Sequence, residues 1–352
     1  MPHYAPYSDD VETVEADEAQ LADKIVAVMS KGAEAVRAKE GRAYRSSHAK
    51  AHALGRGELA VAPGLPPELA QGLFAQAGRY EVVVRLAHVP GEPLDDRKVS
   101  TPRGMALKVL GVDGPMLAGS TQDWVLDTGE VFIASNADVF LQQITMTEAA
   151  AGKPEALHAA VSAVSRVQNA ALNAIGLNSA NLDFYGHPKL DPLTETYYSQ
   201  APLRYGEYVA KLRVRPLGPT EHAIEIDDES GLRTRVAAEM RSRASEWVVE
   251  VQLCTDLERM PVEDAHAKWS QEESPYREVA RLTLPAQEAW GADSLAEDDR
   301  LSFSPAHTLA AHRPLGSIMR ARMRVYDVMA QRRAEANGVT IAEPRATAEL
   351  AA

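Results

Sequence analysis

The sequence predicts an α+β protein, an antiparallel β-sheet or barrel with helices packed around it. Three observations lead there. Short stretches rich in β-branched residues follow one another with turn-sized gaps, and in the clearest of them Val82, Val84 and Leu86 alternate with Val83, Arg85 and Ala87. A period of two puts each set on one face of a sheet, and closing such a sheet removes its free edges. Helical periodicity marks both ends of the chain, and no repeat or low-complexity linker divides it.

Residues 1–20 are acidic and polar and read as a loose arm. Leu21, Ile25, Val28 and Met29 fall at helical spacing and predict a helix over 17–38. A short helix over 66–77 opens on two prolines. Strands are expected over 80–89, 105–112, 124–125 and 130–134. The alanine-rich stretch 136–178 reads as helix, and 179–200, with Gly186, Pro188 and Pro192, as irregular chain. Strands resume over 208–214, 247–254 and 279–284. Residues 285–315 read as loop, and a last helix runs over 316–337. The result is one domain over 21–340 and a tail over 341–352.

The 352 residues carry 50 Asp+Glu against 37 Lys+Arg, a formal charge of −13. That excess repels nucleic acid and anionic membranes. The single cysteine, Cys254, has no internal disulfide partner and lies in an apolar run, as a buried structural thiol does. The N-terminus lacks a positive start followed by an apolar stretch, and no apolar run reaches the ~18–20 residues that span a bilayer. The expectation is a soluble, cytoplasmic protein.

Three segments carry the chemistry. The first is His48-Ala49-Lys50 with Arg45 just before it. The second runs from Val84-Arg85 through Gly91-Glu92 to Pro102-Arg103-Gly104-Met105-Ala106-Leu107-Lys108. The third runs from Val251-Gln252-Leu253 through Phe303-Ser304-Pro305-Ala306-His307 to Arg322-Met323-Arg324-Val325-Tyr326. Arg322 and Tyr326 share a helical face, one turn apart. A phenol binds a metal poorly until it loses its proton, and a nearby guanidinium stabilises the anion. An imidazole such as His48 can take up a proton and give it back near neutral pH.

In order and spacing these segments resemble the catalase superfamily over roughly residues 40–335. The resemblance implies a catalase-like barrel with haem b between it and the C-terminal helix. It implies Tyr326 as axial ligand to the iron, supported by Arg322, with His48 on the opposite face. Arg45, Arg85 and Arg333 match the arginines that hold the haem propionates, with Arg332 as an alternative to Arg333. Phe140 falls where an aromatic ring meets the haem.

Three positions depart from the family pattern. Asp127 stands where catalases place an asparagine that orients peroxide; ionised, it only accepts hydrogen bonds, and kept protonated by burial it could still donate one. Ala87 replaces a serine that hydrogen-bonds the distal histidine. Ser47 replaces a valine, as in the branch that includes the allene oxide synthases, and a hydroxyl there could also restore the bond lost at Ala87. The chain ends 26 residues after Tyr326, where catalases continue. That resembles the small, core-only catalase-related peroxidases and implies an accessible haem and no bound nicotinamide nucleotide.

The function so implied is haem-dependent consumption of peroxide, with a second peroxide or, in peroxidase-like action, an organic donor as second substrate. One alternative is processing of an organic, fatty-acid hydroperoxide. Another is a haem-binding or sensing protein without turnover, favoured by Asp127 but not by retention of His48, Arg322 and Tyr326. A non-haem metal site on His48 and His52 lacks the glutamate that the two-histidine zinc motif requires. Oligomeric state leaves no mark in the sequence.

Overall fold

The computed structural model describes residues 3–148, 161, 162, 165, 166, 168, 169, 183, 184 and 186–350. Its strands are β1 (Ala51–Val61), β2 (Gly78–His88), β3 (Arg103–Val109), β4 (Gln122–Thr128), β5 (Tyr197–Tyr198), β6 (Leu203–Tyr205), β7 (Tyr208–Pro216), β8 (Ser245–Leu253) and β9 (Arg277–Leu284). They form one antiparallel sheet in the order β5-β4-β3-β2-β1-β9-β8-β7-β6. Tyr197 and Tyr198 also pair with Val214 and Arg213, so β5 meets β7 and closes eight strands into a barrel, with β6 a hairpin on β7. The expected α+β barrel is the observed fold.

The alternation in β2 is the plan of the wall. Val82, Val84 and Leu86 point inward with Met105, Leu107, Trp124, Leu126, Val249 and Val251, filling the interior. Val83 packs in a separate outer cluster with Leu54, Leu110 and Phe303, and Arg85 and Ala87 share its face. The candidate site lies on this outer surface.

β1 was not legible, because Gly55, Arg56, Gly57 and Glu58 interrupt any apolar alternation. It is nonetheless central, between β2 and β9. A Cβ on Gly57 would lie 2.2 Å from the Thr283 carbonyl oxygen. Only glycine allows that approach of β9. The strand expected over 130–134 does not form. β4 stops at Thr128, Gly129 turns at a φ of 92°, and Gln200 Nε2 donates to the carbonyls of Thr128, Gly129 and Val131 at 3.4, 3.2 and 3.0 Å. A side chain there satisfies backbone groups that a neighbouring strand would otherwise have to meet.

The helices are α1 (Glu18–Glu40), α2 (Ala137–Glu148), α3 (Gly231–Ser242), α4 (Ser294–Arg300) and α5 (Ser317–Asn337). α1 and α5 lie where the periodicity places them. α2 opens the expected 136–178 helix, most of whose remainder lies outside the described residues. α4 forms inside a stretch read as loop, and α3 has no counterpart in the sequence reading. Over 66–77 only a 3-10 turn forms, Gly72–Phe74. The N-terminal residues read as a loose arm run along the barrel: Ala5 N–H donates to Cys254 O at 2.8 Å and Tyr7 N–H to Glu207 O at 2.7 Å. Leu350, in the expected tail, is buried against Leu54 and Val83. Cys254 is buried, and burial pushes its thiol up to about 11. Among the described residues no helix is long and apolar enough to cross a membrane.

Candidate active site

α5 begins after Gly316 and ends at Gly338, whose φ of 64° is the left-handed cap that stops a helix. Its buried face is Ile318, Ala321, Arg322, Val325 and Arg333, at helical spacing. Ala321 and Val325 pack on α1 through Ala22, Ile25, Val26 and Met29. This face holds Tyr326 toward the barrel, and Arg322 Nη2 donates to its hydroxyl at 3.0 Å. Tyr326, Arg322, His48, Asp127 and Phe140 line one cavity of about 950 Å³. Phe140, on α2, packs its ring at 5.3 Å from Phe132.

His48 precedes β1 and has a φ of 60°, which few non-glycine residues adopt. Its N–H donates to Val89 O at 2.8 Å, fixing that turn. The imidazole lies over β3, where a Cβ on Gly104 would come within 2.5 Å of its Nδ1. Gly104 pairs with Ala87 on one side and Asp127 on the other. The small residues Ala87, Gly104 and Ala106 thus open a shelf on the outer wall for His48. Its Nε2 is 3.6 Å from Asp127 Oδ1, and that oxygen is buried with no hydrogen-bond partner. Burial lowers the pKa of His48, outweighing the opposing pull of Asp127 and reinforced by Arg85 and Arg322. His48 is therefore a free base at neutral pH.

Ser47 does not restore the bond lost at Ala87: its hydroxyl donates to Val89 O at 3.0 Å. Ser47, Arg45, Arg85 and Arg333 line a smaller hollow of about 80 Å³ that also touches His48 and Tyr326. The three arginines converge on α4. Arg45 Nη1 donates to Asp298 Oδ2 at 2.8 Å, Arg85 Nε to Asp298 Oδ1 at 2.7 Å, and Arg333 Nη1 to Asp299 O at 2.8 Å. Burial opposes the charge of Asp298, but Arg45 and Arg85 hold it well below the usual carboxylate range. Arg332 turns away to the Ser30 hydroxyl on α1. Asp298 and Asp299 escaped the sequence reading. The signal available was that three candidate arginines require counter-charges, and an Asp-Asp pair lies beside the Phe303 segment. His52, the other half of the weak two-histidine alternative, is fully buried, its ring near His88 at 6.1 Å.

No protein-family model matches the sequence, and no curated protein matches it. Solved structures match in fold. A fungal catalase shares 16% identity at a TM-score of 0.60, over 85% of this chain and 63% of its own. Catalase A from Saccharomyces cerevisiae shares 16% at 0.59, over 84% and 62%. A bacterial catalase shares 15% at 0.60, over 93% and 64%. The chain spans less than two thirds of the length of each of these three catalases. Its fold is the catalase-like fold.

Proposed function

We propose that the chain is a haem-dependent oxidoreductase that consumes a peroxide, with Tyr326 as the axial ligand and His48 as the acid–base residue. The observation that carries this reading is that Tyr326, backed by Arg322, and His48, backed by Asp127, line one cavity on the outer barrel wall. The residues present fit a haem. The smaller hollow is lined by Arg45, Arg85 and Arg333, which meet the carboxylates of Asp298 and Asp299. Three positive groups against two negative ones favour propionates, which arginine holds with paired hydrogen bonds. Phe140 and Phe132 offer apolar contact to a macrocycle. When bound there, ferric haem supplies the redox centre for cleavage of the O–O bond, and a tyrosinate ligand stabilises its oxidised states.

The chain's own residues manage the protons. His48, as free base, takes a proton from one peroxide oxygen and returns it to the other, which leaves as water. Asp127 Oδ1, lacking a donor partner, accepts a hydrogen bond from the peroxide hydroxyl or from protonated His48. Asp127 has no amide N–H to donate where the family asparagine has one, so oxidation of an organic donor fits this site better than rapid dismutation of hydrogen peroxide.

The reading is tested by two variants. Tyr326→Phe should lose haem or its tyrosinate-type spectrum. His48→Ala should keep both while its spectrum no longer responds to peroxide. Retention of a normal tyrosinate spectrum in Tyr326→Phe ends the ligand assignment. Oxygen release after adding hydrogen peroxide separates the chemistries: little release with continued peroxide consumption in the presence of a donor is expected.

A further inference from the structure

A second polar constellation lies on the wall of the same large cavity. His187 is held between two carboxylates. Its Nδ1 is 2.8 Å from Asp183 Oδ2 and its Nε2 is 2.6 Å from Glu195 Oε1. Burial disfavours charge on His187, but Glu195 and Asp183 override it and push its pKa up to about 9. At neutral pH both ring nitrogens therefore donate, and one negative charge remains on the array. Asn169 donates to Asp183 Oδ1 at 2.9 Å. Glu195 is 2% exposed, and its Oε2 is buried without any hydrogen-bond partner. A buried carboxylate oxygen in that state requires a donor.

The surroundings define which donor. Phe184, Pro188, Leu190 and Tyr198 line the cavity beside the array and suit a flat apolar body. Glu92 is paired with Lys39 at 3.5 Å; the five other carboxylates of the described lining stand against Lys268, Arg322 and protonated His187, an excess of two formal negative charges. Glu130 is already matched by Lys268 at 2.8 Å. An anionic ligand meets net repulsion here, and a carboxylate head cannot donate to Glu195. A hydrogen-bond donor head, neutral or cationic, satisfies both conditions.

We propose that the Asp183–His187–Glu195 array binds the nitrogen head of an aromatic amine, which serves as the organic reducing substrate, with Glu195 Oε2 as acceptor of its N–H. This rests on the peroxide-consuming reading above. Each amine loses one electron and one N–H proton. Glu195 takes the proton and gives it up to the peroxide oxygen that becomes water, and haem held in the cavity would carry the electron. Two amines and one hydrogen peroxide give two aminyl radicals and two waters. The array correspondingly disfavours fatty-acid hydroperoxides, whose carboxylate would enter a negative cavity.

Calorimetric titration of the haem-loaded protein with benzylammonium and with benzoate, matched in shape and opposite in charge, tests the site without turnover. Benzylammonium should bind about tenfold or more tightly than benzoate. Glu195→Gln should abolish most of that preference. Asp183→Asn, at a side chain 23% exposed and so less demanding of the fold, should reduce it. In turnover, p-phenylenediamine should be oxidised in preference to a sulfonated donor, and the preference should fall in the same two variants. Equal or tighter binding of benzoate, or an undiminished preference in both folded variants, overturns the proposal. A protein that takes up no haem yet prefers benzylammonium sinks the peroxide reading and leaves the site. One that takes up haem and consumes peroxide without that preference does the reverse.

Discussion

Gly104 sits where the candidate chemistry depends on the absence of a methyl group. An added Cβ would fall 2.5 Å from His48 Nδ1 and 3.1 Å from Asp127 Oδ1. Gly104→Ala should therefore displace the imidazole while leaving the arginines and Tyr326 untouched. Haem content measured by absorbance should stay near that of the parent, and the rate of the spectral response to peroxide should fall by about tenfold or more, the scale of one positioned acid–base group. An unchanged rate would mean that the position of His48 is not limiting. Asp298 presents the opposite case, a buried charge that pairs with two others, Arg45 and Arg85. Removing one partner of a buried ion pair costs about 3–5 kcal/mol, because the remaining charges stay buried and uncompensated. Asp298→Asn should lower stability by that order in the haem-free protein, with haem loading recovering part of the loss. Thermal melts with and without haem check both halves, and an equal loss in the two states would separate the arginine cluster from haem binding.

At the scale of elements, the barrel wall depends on β1, and β1 on its glycines. Its register with β9 is short, from Glu58 opposite Thr283 to Val61 opposite Ala280. Gly57→Ala forces a Cβ against the Thr283 carbonyl and should destabilise the protein by about 1–3 kcal/mol through overpacking. Chemical denaturation would register the change as a lower midpoint at unchanged slope. α5 works differently. It places Arg322, Tyr326 and Arg333 at intervals of four and seven residues, so one helix face serves both the ligand and the arginine cluster. The neighbouring Arg332 is rotated away to α1.

At the scale of the molecule, buried histidines contribute to the pH dependence of folding, and Lys211, whose pKa burial lowers to about 8, opposes His187 above that pH. His52, His88 and His312 have lowered pKa values, through burial foremost, with His312 at about 4. Their unfolded forms bind protons below the ordinary value of about 6.5, so stability falls as pH drops below it. His187, raised to about 9, has the opposite sign. Its contribution is complete below about 6.5 and is lost as pH rises to 9. Melting temperature should pass through a maximum near neutral pH, and His187→Gln should remove the decline between pH 7 and 9. A decline that persists in a folded His187→Gln variant refutes this assignment.

The sequence by itself pointed to an antiparallel sheet or barrel, through alternation in β2, and to the two long helices, through their apolar spacing; closure rests on the pairing of β5 with β7. It also marked His48, Arg45, Arg85, Arg322, Tyr326 and Arg333, because motifs with fixed spacing survive as local patterns. Tertiary structure alone decided the rest. β1 was hidden because its glycines answer to the backbone of β9, a contact distant in the chain. The strand expected over 130–134 gave way to the side chain of Gln200. Asp298 takes its properties from Arg45 and Arg85, far away in the chain. His187 takes its from Asp183 and Glu195, close in sequence but brought onto one imidazole only by the folded, buried turn. Burial and charge pairing set those properties, and both are decided by the fold.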